Sequence, residues 1–254
     1  MGRTIAIVNQ KGGVGKSTTA VNLGAYMSVA GKRVLVIDLD PQGNATSGLG
    51  VRKENLEASM YDVLIERVAM SEIIQPTKVE GLFIAPATIS LAGAEIELVS
   101  AMSREFRLRE RLREIVDLYD YLLVDCPPSL GLLTLNGLAA ADSVLIPIQC
   151  EYYALEGLGQ LMQTIGMVRT HVNAGLEIEG VVLTMFDGRT NLSQQVADDV
   201  RGFFDGRVRV FDTVIPRNVR LSEAPSYGQP INLYDDKCRG AQAYQELAAE
   251  VLGG

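Results

Sequence analysis

Residues 9–19 read NQKGGVGKSTT. Gly15-Lys16-Ser17 closes the phosphate-loop pattern G-x-x-x-x-G-K-[ST]. That pattern binds a nucleoside triphosphate because glycines let backbone N–H groups turn inward, and the helix that follows adds a partial positive charge. Gln10 occupies the usual first glycine position, and Gly12 and Gly13 compensate. With Val14 and Gly15 they make the cradle. Lys16 is placed for the β- and γ-phosphates, Ser17 for Mg²⁺, and Thr18 for the α-phosphate. Lys11 is an additional lysine five residues ahead of Lys16. The loop curls between the two, so their side chains should diverge, and Lys11 is expected to leave its own site toward the phosphates of a second subunit. The chain has no obvious arginine finger in cis, and Lys11 is the substitute for that charge at the γ-phosphate.

Phosphate chemistry also needs carboxylates to hold the metal's water shell and orient the attacking water. LVIDLDP (35–41) offers Asp38 and Asp40, and YLLVDCPPS (121–129) offers Asp125, all at the ends of apolar runs. Period-2 alternation predicts that Asp38 and Asp40 face the same way and that both approach the phosphates. Asp125 is read as a Walker-B-like metal-side residue; of Asp38 and Asp40, one would help hold the metal's water shell and the other would orient the attacking water.

The elements that must position these residues alternate in type. Strands are predicted at 4–8, 33–40, 81–87, 121–129, 143–148, 179–185 and 207–215, and helices at 16–30, 91–118, 153–172, 190–204 and 237–252, with short helices over 51–75. The strands are runs of Val, Ile and Leu without polar alternation, so both faces are covered. Strands interleaved with helices give an α/β fold: a doubly wound, mainly parallel β-sheet flanked by helices. Its strand carboxyl ends line the ligand crevice. Neither repeats nor a linker appear, and 1–254 reads as a single domain.

The bulk composition excludes several classes. Hydrophobic residues are 47% and charged residues 21%, sufficient for a folded core. The net charge is −8, so any nucleic-acid contact must come from a local patch or from assembly. Cys126, Cys150 and Cys238 have no disulfide or zinc spacing, and His171, the one histidine, reads as a helix-end residue. REFRLRERLRE (104–114) reads as a solvated helix face laced with ion pairs. Tyr152 and Tyr153 read as core or subunit-contact residues. With no signal peptide and no long apolar run, a cytoplasmic location is expected. Only Arg3 precedes the first strand closely, so no added N-terminal DNA-binding domain is expected.

NQKGGVGKSTTAVNLG, VLVIDLDPQGNATSGLG, LAGAEIELV, YLLVDCPPSLGLLTLN, PIQCEYYALEGL, LTMFDGRTNLSQQV and VIPRNVRLSEAPSYGQPI together make the chain resemble the ParA/Soj-type partitioning ATPases, with their deviant Walker A loop. The resemblance runs from residue 4 to about 240. It implies a switch that binds ATP and Mg²⁺ and closes into an ATP-sandwich homodimer. Lys11 then crosses to the partner's nucleotide, Gly12 lies at the interface, and Asp40 is needed for hydrolysis. It further implies binding of double-stranded DNA without sequence preference, association with the nucleoid, and hydrolysis stimulated by a ParB-type centromere-binding protein. Two weak basic patches would be added together by dimerisation. Arg189, Arg217 and Arg220 are the candidates, with Lys237 and Arg239 behind them. Relatives often read adenine with an asparagine where this chain has Thr184-Met185. Pro216 and Asn218 are the substitutes proposed for that role.

Two other classes compete. A MinD-like membrane-surface ATPase would need a basic amphipathic C-terminal helix, and GAQAYQELAAEVLGG is acidic. A nitrogenase-iron-protein-like carrier would need cysteines placed to share a cluster across a dimer axis, and Cys126 and Cys150 do not sit in such motifs.

Overall fold

The computed structural model describes residues 2–152 and 154–253. Among the described residues, eight strands form one sheet: β1 (Arg3–Ile7), β2 (Val34–Asp38), β3 (Gln75–Pro76), β4 (Leu82–Ala85), β5 (Tyr121–Asp125), β6 (Ser143–Gln149), β7 (Glu177–Phe186) and β8 (Val210–Pro216). Their spatial order is β3-β4-β2-β5-β1-β6-β7-β8, all parallel except the two-residue edge strand β3. The main helices are α1 (Lys16–Val29), α2 (Leu91–Glu97), α3 (Arg107–Leu112), α4 (Leu132–Ala140), α5 (Leu158–His171), α6 (Asn191–Phe204) and α7 (Arg239–Leu252). This is the doubly wound fold that the alternation of elements predicted.

Strand β1 shows why the apolar runs do not alternate with polar residues. Ile5 and Ile7 join a core under α1 and α7, while Ala6 and Val8 join the core on the opposite face, under α2 to α6. Every residue of α1 from Thr19 to Ser28 is buried, between the sheet and a cover formed by α7 and the segment before it. Gly24 is what lets α1 lie so close: a Cβ there would come within 3.2 Å of Leu82 and Val36 side-chain carbons. The helix ends in a Schellman motif, with Lys32 N–H donating to Met27 O and Gly31 N–H to Ser28 O, and Gly31 at φ +85°.

Two predicted helical spans are interrupted or shifted. Residues 91–118 break into α2, α3 and short 3-10 turns, because Ser103 takes a left-handed conformation at φ 52°. The charged stretch 104–114 is surface-lying, but Arg107 and Arg111 both pair with Glu66 from a distant turn rather than only with each other's neighbours. The helix expected from residue 153 begins at Leu158, after Gly157 at φ 78°. Tyr153 lies outside the described residues, and Tyr152 is 76% exposed, which removes the core alternative for it and leaves the subunit-contact one.

Candidate nucleotide-binding and hydrolytic site

In-register pairing sets the floor of the site. Ile7 of β1 pairs with Asp125 of β5, and Asp125 pairs with Asp38 of β2. Three strand carboxyl ends therefore stop at one level. The glycine-rich loop rises from the first of them, with Gly13 at φ 74° and Gly15 at φ 90°. These left-handed values are open to glycine and costly for other residues. Asn9 braces the loop, accepting from Lys11 N–H at 3.0 Å and donating to Pro147 O at 2.7 Å.

A cleft of about 690 Å³ opens above this loop. Gly12, Gly13, Gly15, Lys16, Ser17, Thr18 and Asp40 line it, as do Met185, Pro216 and Asn218. The cleft thus brings together the glycine-loop residues expected at the phosphates, Asp40, expected to act in hydrolysis, and both residues suggested for the base. Val14 is buried, and its carbonyl accepts a hydrogen bond from the Thr184 hydroxyl at 2.8 Å. Thr184 also lines the cleft, so the residue standing where an asparagine was sought is committed to fixing the loop. Met185, next to it, holds φ 51°, an uncommon value for a non-glycine residue.

Electrostatically the floor is incomplete. Lys16 is buried and its Nζ reaches back to Lys11 O at 3.2 Å. Burial lowers its pKa, against the opposing attraction of Asp125 and Asp40. Asp125 is fully buried, and neither of its carboxylate oxygens has a hydrogen-bond partner among the described residues. Its pKa is driven well up by burial and by the neighbouring Asp38 charge; the nearby Ser17 side chain and Lys16 draw it down without closing a bond. A buried carboxylate without a partner is costly. An orphaned carboxylate oxygen next to a hydroxyl is a donor set that fits Mg²⁺, which prefers hard oxygen ligands and completes its shell with waters and phosphates. No cluster of three His, Cys, Asp or Glu side chains forms a metal cage among the described residues.

Asp38 differs from the expectation that both carboxylates of the pair approach the phosphates. Strand β2 ends at Asp38, so the alternation does not extend to Asp40. Asp38 is fully buried and does not line the cleft; its oxygens accept from Asp40 N–H at 3.1 Å, Thr46 N–H at 2.8 Å and the Thr46 hydroxyl at 2.7 Å. Burial still raises its pKa against those hydrogen bonds. Asp40 alone of the two reaches the cleft.

The two loop lysines border different recesses. Lys11 does not line the cleft; it borders a small recess with Asn9, Gln149, Glu156 and Leu158. A Cβ on Gly12 would meet nothing within 4 Å inside this chain.

The three arginine candidates share one feature. Arg189 makes a two-pronged contact with Asp187, at 2.9 and 2.8 Å. Arg217 pairs with Glu151 at 3.3 Å and lines the cleft, so it belongs to the cleft as well as to the surface. Arg220 pairs with Glu223 at 3.0 Å and Asp235 at 3.5 Å. Asp187's carboxyl is held far below the usual range by the Arg189 hydrogen bonds. The remaining singled-out residues are structural. Cys126 is buried with its thiol pKa pushed up by burial, Cys238 caps α7 through its sulfur, and His171 ends α5. The apolar side of α7, with Tyr244, Leu247 and Val251, is spent inside the core. No helix among the described residues is long and apolar enough to cross a membrane.

Sequence reasoning missed Thr46, which bonds Asp38, and Thr184, Asn22, Ser47 and Gln229, which line the cleft. Thr184 and Val14 are 170 residues apart, and no local pattern connects them.

Comparison with known proteins places these features. A protein-family profile described as an AAA domain matches residues 2–178. Over 251 residues the chain is 60% identical to the sporulation initiation inhibitor protein Soj of Bacillus subtilis (strain 168), covering 99% of this chain and 98% of that protein. It is 54% identical over 252 residues to the chromosome partitioning protein ParA of Myxococcus xanthus (strain DK1622), covering 99% and 88%. Among solved structures it is similar to a cobyrinic acid a,c-diamide synthase from Mycobacterium smegmatis with bound ADP and magnesium, at TM-score 0.88 and 40% identity over 99% of this chain and 94% of that one.

Proposed function

The chain belongs to the Soj/ParA family of chromosome-partitioning ATPases, and from that premise we propose that it works as a dimerising, DNA-holding switch. It is an ATPase that uses ATP with magnesium. In this reading Lys16 and the loop N–H groups bind the β- and γ-phosphates, and Thr18 borders the α-phosphate. Ser17 and Asp125 would hold Mg²⁺, which when bound supplies neutralisation of phosphate charge. Asp40 orients the attacking water. Met185, Pro216 and Asn218 enclose the base.

Lys11 serves a second copy of the chain. The observation that carries this reading is its divergence: Lys11 and Lys16 leave the same loop, yet only Lys16 lines the cleft. With ATP bound, two chains close face to face and each Lys11 neutralises the other's triphosphate. The closed pair aligns both sets of Arg189, Arg217 and Arg220 on one surface. Double-stranded DNA is then gripped through its phosphates without sequence preference, which places the dimer on the nucleoid. A ParB-type protein stimulates hydrolysis and release.

Light scattering with and without ATP tests the switch, on wild type, Lys11→Ala and Gly12→Val, followed by duplex binding over a salt series. Wild type should become dimeric and bind DNA only with ATP, and Gly12→Val should lose both. Because this chain has room for the new side chain, that loss would come from a second copy. A Gly12→Val protein that still bound DNA in an ATP-dependent way would falsify the scheme.

A further inference from the structure

We propose that Thr46 is a positioning residue for hydrolysis: through Asp38 it holds Asp40 at the cleft. This rests on the reading of Asp40 as the hydrolytic carboxylate. Thr46 is fully buried and does not line the cleft. Its hydroxyl has one proton, which it donates to Asp38 Oδ2 at 2.7 Å. The Thr46 hydroxyl oxygen in turn accepts from Ala87 N–H at 2.9 Å, so the hydroxyl's orientation is set from both sides. The Thr46 N–H adds a second donor to Asp38 Oδ2 at 2.8 Å. With one carboxylate oxygen pinned, the other receives Asp40 N–H at 3.1 Å.

Asp40 is then held from its remaining sides. Gly43 N–H donates to its carbonyl at 2.8 Å, and Gln42 N–H donates to its Oδ1 at 2.9 Å. A second contact ties the same turn to the same place. Gly43 has φ +62°, and a Cβ there would lie 2.8 Å from Ala87 O. Thus Ala87, in the segment after β4, grips the turn through its N–H and limits its approach through its carbonyl. Asp38 becomes a buried relay between this anchor and Asp40 rather than a ligand of the metal. A hydrolytic carboxylate misplaced by an ångström or so loses turnover while the phosphate cradle stays intact.

The test is single-turnover ATP hydrolysis and ATP affinity, measured on the full chain with magnesium. Thr46→Val keeps the shape and removes both hydroxyl bonds. It should lower the hydrolysis rate ~10- to 100-fold with ATP affinity nearly unchanged, and Thr46→Ser should restore the rate. In an Asp40→Ala background, Thr46→Val should add no further loss, because the two act as one unit. The inference is overturned if Thr46→Val turns over normally, if affinity falls as much as rate, or if Thr46→Ser is as slow as Thr46→Val. Should the valine protein not fold, Thr46→Cys carries the test through its weaker thiol donor: an intermediate rate is expected, and a wild-type rate overturns the inference. Normal turnover in Asp40→Ala alone would instead sink the functional reading beneath it.

Discussion

The floor of the cleft and its arginine-bearing rim handle charge in opposite ways. On the floor, among the described residues, Asp125 is buried without a hydrogen-bond partner and Lys16 is buried with a loop carbonyl as its hydrogen-bond acceptor. On the rim, each arginine closes on a carboxylate of its own chain: Arg189 on Asp187, Arg217 on Glu151, Arg220 on Glu223. The floor is preformed and unfinished, so what completes it must arrive from outside, and the orphaned carboxylate favours a cation. The rim is already neutralised and exposed, so holding a polyanion there means exchanging partners. Such exposed pairs contribute little to stability and are screened by salt. In the proposed reading, the difference lets an acidic protein take phosphate at the floor and a polyanion at the rim only by exchanging partners.

The largest effect expected from this contrast belongs to the floor. Asp125→Asn should weaken magnesium-dependent nucleotide binding by ~10- to 100-fold, read by titrating Mg²⁺ at fixed nucleotide. Unchanged magnesium dependence would remove Asp125 from the metal's shell and leave its orphaned oxygens unexplained.

A pH effect of intermediate size follows. Burial raises the pKa of Asp125 and carries Asp38 from 3.8 to about 6. In that window the folded chain keeps protons that the unfolded chain has released. Stability of the ligand-free protein should therefore fall as pH rises through the window, by up to ~1.4 kcal/mol per pH unit for each proton. The carboxylates with lowered pKa, Glu66, Asp187 and Glu250, act below their ordinary values, under the pH 5 to 7 range compared. Denaturant titrations at pH 5 and pH 7 read the slope. Asp125→Asn should flatten it, as should saturating magnesium nucleotide, and a slope identical in wild type and variant would contradict the assignment.

The smallest effect belongs to the rim. Arg189→Ala and Arg220→Ala should each lower the salt slope of duplex binding by about 1, with no change in ATP affinity and no measurable change in melting temperature. A variant that lost ATP binding instead would move its arginine from the rim to the cleft. Arg217, which lines the cleft, provides the comparison in which both readouts change.

Much of the floor could be read from residues that are close in the chain. The glycines and Lys16-Ser17-Thr18 act through one loop and one helix start, and Asp125 closes an apolar run whose length placed it at a strand end. The split between Asp38 and Asp40 was not readable, because it depends on where β2 stops and on Thr46 waiting eight residues on. The break at Ser103 was equally hidden: its neighbours are good helix formers, and local propensity gives way to tertiary packing. The rim's pairing was half visible. Asp187 with Arg189 and Arg220 with Glu223 are local, while Arg217 with Glu151 spans 66 residues.

By itself the sequence determined the order of elements, the buried character of the strands and the phosphate loop, because backbone freedom and apolar periodicity act over a few residues. Only the tertiary structure decided which carboxylate reaches the cleft, which threonine secures the loop and which arginines are already occupied. Those outcomes depend on hydrogen bonds between segments that meet only after the sheet has assembled, and on how much water each charge has lost when they do.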